Sequence, residues 1–500
     1  MKITLQLLVV TLLLLIPLPG ARAGYPPNQP DGFNSTSDAT ADTWVYLPLL
    51  NTPNNNSSSP APQTRRVNAP FINPASSDDP LRDSAIFWFG KVTPDENYTD
   101  VRVRYEVDRL VISVEVFDRQ IWYDKAPIPD KAGYPNWDSV SLLLKSDSSS
   151  APLPTVTSYR IDAMIRNREL AKNYQAVYKG NGTGWEAVGM GSVTESGWRG
   201  EGLNGPNEDR GWTITYNIPY IYLGLSHAPV EGTLWNLGFI IYDRDENAGG
   251  MIEPGRWPED IQLNDPRTWG ELYFGIPKLQ PGSSPATGSV MIRQYLEGAT
   301  VPDAAVGGTV GNQCPGDSHF IWNEWGFANF AEAPDINIQN QADVADWPCF
   351  AKYYVTFPLD QIPPGKVIKS AALILHHWGN NGPPNLATDS IIHVLSVSEA
   401  WDEATITWNN APLALENIDR IRIPVLDCTN GTGRMTWPCT PRTWDVGRAV
   451  DQAYQNGQPV RLALYSSDTA RHSGKLFTTS DVEDWNETGR PTLVVTYGDR

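Results

Sequence analysis

Apolar and polar residues alternate along much of the chain between residues 65 and 276. The segments VRVRYEV (101–107) and VISVEVF (111–117) place Val, Tyr or Ile at every second position, with Asp108-Arg109 as a tight turn between them. A period of two is typical of a strand with one buried face. Further strands are predicted for DSVSLLL (138–144), YRIDAMI (159–165), GWTITYNIP (211–219) and LWNLGFIIYD (234–243). Because no long helical period interrupts these segments, they predict a β-sandwich.

A second alternating region covers residues 290–498. Its predicted strands are YYVTFPL (353–359), KSAALILHHW (369–378), SIIHVLSVS (390–398), ATITW (404–408), VRLALYSS (460–467) and TLVVTYG (492–498). One helical stripe, formed by Val446, Val450 and Tyr454, ends at Gly457. The stretch PKLQPGSSPATGS (277–289) has the Pro, Gly and Ser content of a linker. We therefore predict an all-β protein with two jelly-roll-like β-sandwich domains in tandem, 65–276 and 290–498, that fold independently.

The first 64 residues predict export followed by disorder. Lys2, the apolar run Leu5–Leu15 and the small residues around Arg22 form a signal peptide over 1–23, so a mature chain beginning near Gly24 is expected to be secreted and extracellular. Residues 24–64 are rich in Asn, Ser and Pro and are expected to be disordered. The island WVYLPLL (44–50) could be a sticky peptide or a strand added to a sheet edge, and the sequence does not decide between them. No stretch after the signal peptide approaches the roughly 18 apolar residues of a membrane span.

The net charge excludes two classes of partner, and the cysteine content predicts disulfides. A net charge of −19 among 500 residues should repel nucleic acid and anionic lipid surfaces, so neither is expected as a partner. All four cysteines lie in the C-terminal half, and an even number in an exported chain indicates disulfides. Pairing of neighbours in sequence favours Cys314–Cys349 and Cys428–Cys439; a zinc site is the weaker interpretation because no CxxC motif is present.

The N-terminal domain resembles family 9 carbohydrate-binding modules over about 180 residues. The resemblance rests on YPNWDSVSLLLKSD, SYRIDAMIRN, GWTITYNIPYIYLGL, GTLWNLGFIIYDRDE and RWPEDIQLNDPRTWGELYFG. Related sandwiches such as DOMON domains share parts of this pattern. Modules of this kind hold a sugar between two tryptophans, which implies Trp137 as one wall, Trp257 or Trp269 as the other, and Tyr134 as a helper. For each of these tryptophans, core packing is an equal alternative.

The loop YDRDENAGG (242–250) is the predicted metal site. Asp243, Asp245 and Glu246 offer the hard oxygen ligands that calcium prefers, and structural calcium is also what the resemblance implies. The 12-residue spacing of an EF-hand is absent. A solvated acidic turn is the alternative.

The C-terminal domain resembles DNRLRE domains, which are grouped with family 96 carbohydrate-binding modules. The order of features is kept over about 200 residues: IPPGKVIKSAAL (362–373), AWDEATITWNNAP (400–412), WDVGRAV (444–450) and RPTLVVTY (490–497). The Arg-Glu pair of the family's name is replaced by TTSDVEDW (478–485), so a role of that pair is not expected here. We interpret WDEATITW as core and corner structure, with Ile406 and Trp408 on one face of a strand, rather than as a ligand contact.

Together these features predict a secreted, non-catalytic protein that recognises a polysaccharide or glycan by stacking on tryptophans. No catalytic motif such as G-x-S-x-G or H-E-x-x-H occurs in the sequence. The alternative is an extracellular structural or adhesive protein that binds a protein partner or a matrix. The sequence predicts neither the polysaccharide nor the oligomeric state.

Overall fold

A computed structural model describes most of the chain from residue 64 onward. The described residues are 64–126, 134–206, 208–246, 252–308, 321–340, 350–382, 385–426, 428, 435–470 and 472–500. The predicted signal peptide, the Asn/Ser/Pro-rich segment except residue 64, and the pair Cys314–Cys349 therefore lie outside the described residues. Within the described part of the chain, no helix is long and apolar enough to cross a membrane.

The first half of the described chain, 64–276, consists of strands joined by loops and short helical turns. Its strands are β1 Arg66–Ala69, β2 Ala85–Phe89, β3 Tyr98–Tyr105, β4 Arg109–Phe117, β5 Ser139–Lys145, β6 Ser158–Met164, β7 Gln175–Gly180, β8 Trp185–Ala187, β9 Thr194–Gly200, β10 Asp209–Pro219, β11 Leu234–Tyr242, β12 Gly255–Trp257 and β13 Gly270–Phe274. Its short helical turns are Tyr134–Asn136, Ala171–Asn173, Tyr220–Leu223 and Pro266–Thr268.

Two sheets pack face to face in this half. One is antiparallel, in the order β2-β3-β4-β10-β9. In the other, β8, β7, β6, β5 and β11 are successive antiparallel neighbours, and β12 and β13 share the far edge of β11. The alternating apolar residues of β3, β4, β5 and β11 meet in one core that includes Val101, Val114, Leu142 and Phe239. This is the sandwich that the period of two predicts.

The second half, 277–500, is also built of strands. They are β14 Ala286–Arg293, β15 Asp303–Val306, β16 Asp335–Asn340, β17 Phe350–Phe357, β18 Val367–Asn380, β19 Ser390–Val397, β20 Ala414–Ile423, β21 Thr440–Asp445, β22 Val460–Ser466, β23 Lys475–Thr478 and β24 Thr492–Gly498. Short helical turns cover Leu296–Gly298, Ile321–Trp325 and Asp484–Gly489, and one α-helix, α1, covers Gly447–Gln455.

The strands of the second half form two antiparallel layers around a core of their own. In one layer β15, β17, β22, β19 and β20 are neighbours in that order. In the other, β18 lies between β24 and β21, with β14 beyond β24. Helix α1 buries Val450 against this core, and the chain leaves the helix at Gly457, whose φ of 63° is the left-handed conformation that glycine adopts without strain. The all-β prediction is confirmed for both halves.

Three local predictions differ from the structure. Residues 401–411 form turns rather than a strand: the N–H groups of Thr405 and Ile406 both bond to the carbonyl of Asp402, although Ile406 and Trp408 are buried as predicted. The turn between β3 and β4 lies one residue earlier than predicted, so Val107 is exposed. Strand β14 begins inside the predicted linker, where Ala286–Ser289 already pair with β24.

The two halves pack against each other over a large apolar surface. The outer face of the β2-β3-β4 sheet lies on the β17-β22-β19 layer and on the turns at 401–413. We call this contact the seam. Its buried apolar members are Ile86, Trp88, Val92, Tyr98 and Phe117 from the first half, and Ala304, Val306, Trp322, Ala331, Phe350, Tyr354, Leu395, Val397, Ile406, Trp408, Ala414, Ala463 and Tyr465 from the second.

Buried charged groups cross the seam. The guanidinium of Arg102, on β3, donates to Glu115 at 2.6 Å and to the carbonyls of Ser467 and Asp468 at 2.8 and 2.9 Å. Arg102 is 1% exposed, so an unpaired guanidinium here would be costly. These bonds fix the register of one half on the other.

A second polar contact ties β1 to β20. Asn68 and Asn417 exchange hydrogen bonds: the N–H of Asn68 donates to Asn417 Oδ1 at 2.7 Å, and Asn417 Nδ2 donates to the carbonyl of Asn68 at 2.9 Å. Asn68 Nδ2 also reaches Glu416 Oε1 at 2.8 Å, and Glu416 forms a buried ion pair with Arg448. Both asparagines and both charged residues are nearly inaccessible, so this network is specific to the docked halves.

Candidate functional site

Trp137 and Tyr134, the first two predicted sugar contacts, lie at the start of β5 and have different surroundings. Trp137 is half-buried, and the guanidinium of Arg244 lies 4.6 Å from its ring centre. Arg244 also donates to the carbonyl of Asn136 at 2.9 Å, which holds it there. Tyr134 is 2% exposed and donates to the carbonyl of Asn173, so it cannot reach a ligand in this arrangement. That Trp137 binds sugar stays a prediction.

Trp257 and Trp269 are core residues, which corrects the prediction that one of them forms the second wall of a sugar site opposite Trp137. Each is 1% exposed. The ring of Trp257 packs 4.3 Å from that of Phe87 inside the first sandwich. Trp269 lies on the outer face of β5 and β11, with Leu143 and Ile240, and donates to the carbonyl of Gln262 at 2.9 Å. Neither indole offers a free face.

Sequence reasoning missed a half-exposed indole on this outer face. Trp185, on β8, stacks parallel on Trp269 with ring centres 6.2 Å apart and 1° between the planes. Its Nε1 donates to Asn264 at 2.8 Å. The short segment around Trp185 carries little alternation, so the sequence held no signal that set it apart.

The predicted metal loop contributes to a buried group of carboxylates. Oxygens of Asp118, Asp243 and Asp245 lie within 4.8 Å of one another, and we call these residues the first carboxylate cluster. Asp118, at the end of β4, was not predicted, whereas Glu246 is exposed and outside the group. Residues 247–250 of the loop lie outside the described residues.

Burial and mutual repulsion act together in the first carboxylate cluster. Burial, with repulsion from Asp245, raises the pKa of Asp243 to about 8. Burial, together with Asp243 and Asp245, raises the pKa of Asp118 well above its usual range. The Asn97 side chain lies close enough to lower the pKa of Asp243, but no well-aligned donor among the described residues reaches the buried Asp243 Oδ1. Three crowded carboxylates with an unpaired oxygen fit a divalent cation with oxygen ligands.

The most exposed indoles of the described chain lie on the second half. Trp437 is 37% and Trp485 59% exposed, and their ring centres are 5.1 Å apart at 82°. Trp378, on β18, is half-buried 5.8 Å from Trp437. We call these three residues the tryptophan cluster. They line a surface cavity of about 370 Å³ together with Pro334, Asp335, Thr478, Val482 and Glu483.

The backbone on each side of the cavity is held in place. A disulfide joins Cys428 to Cys439, with Cα atoms 5.7 Å apart, and closes the loop that carries Trp437; the predicted pairing of these two cysteines is confirmed. Arg490 pins the segment that carries Trp485 by donating to the carbonyl of Val482 and to Asp484, both at 2.8 Å. Arg490 opens the RPTLVVTY motif, so the motif supports this surface.

Trp378 also carries an unused donor. Its Nε1 is buried and has no acceptor among the described residues. A buried donor without a partner favours binding of water or a hydroxyl at that point. A larger cavity of about 770 Å³ opens at the seam beside Trp88 and Trp408, but these indoles are 3% and 4% exposed and offer no platform. The tryptophan cluster is therefore the best candidate for stacking.

The stretch around Trp401 and Trp408 is structural, as predicted. Trp408 packs in the seam, and Trp401 lies edge-on to Tyr354, with ring centres 6.1 Å apart. Glu403 accepts the N–H of Asp303 at 2.8 Å. The stretch builds a corner on which the first half docks.

The part of the chain that carries the tryptophan cluster matches a family of carbohydrate-binding modules. Residues 315–497 match the profile of Carbohydrate-binding module family 96. The match contains all three members of the tryptophan cluster and the disulfide. The resemblance inferred from the sequence motifs is confirmed for this region. No curated protein sequence matches the chain.

Solved structures similar to this chain include a family 9 carbohydrate-binding module from Caldicellulosiruptor kristjanssonii. Its complexes with cellotriose and with glucose each match with a TM-score of 0.30 and 13% identity over 42% of this chain and 94% or 95% of that one. A candidate carbohydrate-binding protein from Bacteroides uniformis matches with a TM-score of 0.31 and 11% identity, over 42% of this chain and 99% of that one.

Proposed function

We propose that the protein binds carbohydrate through the tryptophan cluster of its second half. The observation that supports this most directly is a pair of exposed indoles, Trp437 and Trp485, inside the region that matches a carbohydrate-binding module family. Exposed tryptophans are otherwise scarce among the described residues, because most of the indoles pack in the two cores or in the seam.

The geometry suits a pyranose ring. Each sugar presents apolar C–H faces, which a flat indole covers, and a rim of hydroxyls that need polar partners. Trp437 and Trp485 meet nearly at right angles, so one can lie under the ring while the other borders its edge. Asp335, Thr478 and Glu483 line the same cavity and can accept hydroxyl hydrogen bonds.

The same proposal includes secretion, a non-catalytic role and a calcium requirement. Export is supported by the signal-like segment 1–23, and N-terminal sequencing of the exported chain should begin near Gly24. The first carboxylate cluster supports one calcium ion with a structural role. A non-catalytic role is supported by the match to a binding-module family. Incubation with a bound polysaccharide should release no new reducing ends.

Alanine substitution in the full exported chain tests the site. A glycan array first identifies a ligand, and isothermal titration with that ligand then compares variants. Trp485→Ala and Trp437→Ala are each expected to weaken binding by about 2 kcal/mol, or about 30-fold, because each removes one wall of the stacking surface. Because Trp485 is exposed, the Trp485→Ala variant should keep a melting temperature near that of wild type.

Two control variants locate the site. Tyr222→Ala removes an exposed aromatic ring from the first half and should leave the affinity unchanged. Trp137→Ala tests the contact predicted from the sequence. Loss of binding only in Trp137→Ala would move the site to the first half. If no glycan binds the wild-type chain, the structural or adhesive alternative takes the place of carbohydrate binding.

A further inference from the structure

A second group of carboxylates lies on the other half of the molecule, outside every site predicted from the sequence. Oxygens of Asp303, Glu403 and Asp481 lie within 4.8 Å of one another. The three residues are far apart in sequence: Asp303 opens β15, Glu403 lies in the turns after β19, and Asp481 follows β23. We call them the second carboxylate cluster.

Asp303 is the most deeply buried residue of this group. It is 0% exposed, and its Oδ2 accepts from the Tyr353 hydroxyl and, at 2.7 Å, from the N–H of Ser480. No well-aligned donor among the described residues reaches its buried Oδ1, although the Ser480 side chain lies close enough to lower the pKa of the carboxyl. A buried carboxylate oxygen without a donor is rare in folded proteins, because the desolvation of that oxygen is not compensated.

Glu403 and Asp481 close the group toward solvent. Glu403 is half-buried, whereas Asp481 is exposed overall although its carboxyl group is partly covered, and both line a surface cavity of about 460 Å³. No Lys or Arg of the described chain forms an ion pair with any of the three. Burial, with repulsion from Glu403, raises the pKa of Asp481 to about 6, and burial raises that of Asp303 to about 8 although Tyr353 and Ser480 oppose the shift. The nearby Arg490 lowers the pKa of Asp481, but burial and mutual repulsion outweigh it, so ionisation of the cluster is disfavoured until a positive charge is bound.

The backbone around the cluster is fixed before any ligand arrives. Glu403 accepts the N–H of Asp303, and Asn329 donates to the carbonyls of Glu403 and Ile406 at 2.9 and 2.7 Å. Thr479 donates its hydroxyl to the carbonyl of Ala333 at 2.7 Å. Three different segments thus present carboxylates to one point on a prearranged frame.

We propose that Asp303, Glu403 and Asp481 bind a divalent cation, with calcium as the expected ion. The spacing supports an ion of this size, because two oxygens on one calcium, each about 2.3–2.6 Å from it, lie at most about 5 Å apart. Carboxylate oxygens are hard ligands that suit calcium better than softer metals. Water entering from the surface cavity completes the coordination.

The ion joins three chain segments that otherwise repel one another. Asp481 also lies four residues before Trp485, so an ion at this point stabilises the start of the segment that carries that indole. The proposal does not depend on carbohydrate binding, since it concerns different side chains and has its own measurement.

Calcium titration of the chelator-treated full chain tests the site. To separate the two clusters, every variant is made in an Asp243→Asn background, which removes a ligand of the first cluster. Asp481→Asn and Glu403→Gln should each weaken the calcium affinity measured by isothermal titration at least tenfold. Glu332→Gln is the matched control, because Glu332 is an exposed carboxylate in the same cavity but outside the cluster; it should change the affinity less than threefold.

Thermal unfolding separates a cation site from a purely structural role. In chelator, Asp481→Asn should melt no lower than its parent, because it removes like-charge repulsion; in calcium, it should lose most of the parent's stabilisation. Equal destabilisation with and without calcium would overturn the proposal. So would unchanged calcium affinity in both variants, an equal loss in Glu332→Gln, or a magnesium affinity as high as that for calcium.

Discussion

The ammonium nitrogen of Lys352 lies 3.6 Å from the centre of the Trp408 ring, in the middle of the seam. Trp88, Tyr98 and Tyr465 surround the same nitrogen, at 4.2, 4.5 and 4.9 Å from their ring centres. Burial lowers the pKa of Lys352 well below its usual range, although the nearby Asp100 carboxylate opposes this shift. The side chain therefore fills an aromatic box that is built by both halves of the molecule.

Lys352→Met and Trp408→Ala should have very different effects. Methionine keeps the length of the side chain and removes an amine that is expensive to bury, charged or neutral, so the free energy of unfolding should stay within about 1.5 kcal/mol of wild type or rise. Trp408→Ala leaves a cavity at the seam and should cost about 3–5 kcal/mol. Chemical denaturation of both variants measures these differences. A loss above about 2 kcal/mol in Lys352→Met would show that the cation itself stabilises the seam.

The seam also predicts how the full chain unfolds. Separation of the halves exposes buried apolar rings and leaves Arg102 without its acceptors at Ser467 and Asp468. We expect residues 64–276 and 277–500, produced separately, each to melt below the full chain. Differential scanning calorimetry of all three proteins makes the comparison. Two transitions in the full chain, each at the temperature of an isolated half, would mean that the seam contributes little to stability.

His377 should make the second half sensitive to acid. The imidazole is fully buried on β18; it contacts the carbonyl of Gly379 at 2.8 Å, and Arg442 lies 3.2 Å from its Nδ1. Burial, with the charges of Arg442 and Lys475, lowers its pKa to about 3. An unfolded chain therefore binds one more proton than the folded chain between about pH 3 and pH 6.5, so stability falls as the pH falls through this range.

The slope is the quantity to measure. One proton corresponds to about 1.4 kcal/mol per pH unit, so the stability of wild type should fall faster than that of His377→Gln between pH 6.5 and pH 4 by up to this amount. His227→Gln, at an exposed histidine, should keep the wild-type slope. Parallel curves for wild type and His377→Gln would contradict the assignment.

The disulfide Cys428–Cys439 should affect both stability and binding. Closing a loop of about 12 residues contributes up to about 3 kcal/mol in the chain-entropy model. Replacing both cysteines by serine should lower the free energy of unfolding by up to that amount and weaken glycan binding, because the loop carries Trp437. Serine variants are preferable to reductant, which would also reach any other disulfide. Unchanged affinity would show that Trp437 keeps its position without the bridge.

Strand patterns were visible in the sequence because a period of two depends only on local burial. The strands around Val114, Leu142 and Val495 therefore appear where the pattern placed them. Helix α1 was also visible, since Val446, Val450 and Tyr454 repeat with its turns and Gly457 ends it. The pairing of Cys428 with Cys439 followed from their closeness in sequence.

The candidate site was harder to predict because the burial of an indole depends on distant parts of the chain. Trp257 was predicted to stack on a sugar but packs against Phe87, about 170 positions earlier in the chain. Trp437 and Trp485 gave no periodic signal and are nevertheless exposed side by side. The second carboxylate cluster joins residues 303, 403 and 481, and only the fold brings them together.

The seam has one consequence for multivalency. The Arg102 and Asn68 networks hold the two halves in one orientation, so the distance between the tryptophan cluster and any indole used on the first half, such as Trp185, is set by the protein. A polymer that reaches both surfaces gains avidity only if its own repeat matches that span, whereas a short oligosaccharide gains none. The chain would then favour polysaccharides by their length and stiffness as well as by their sugar units.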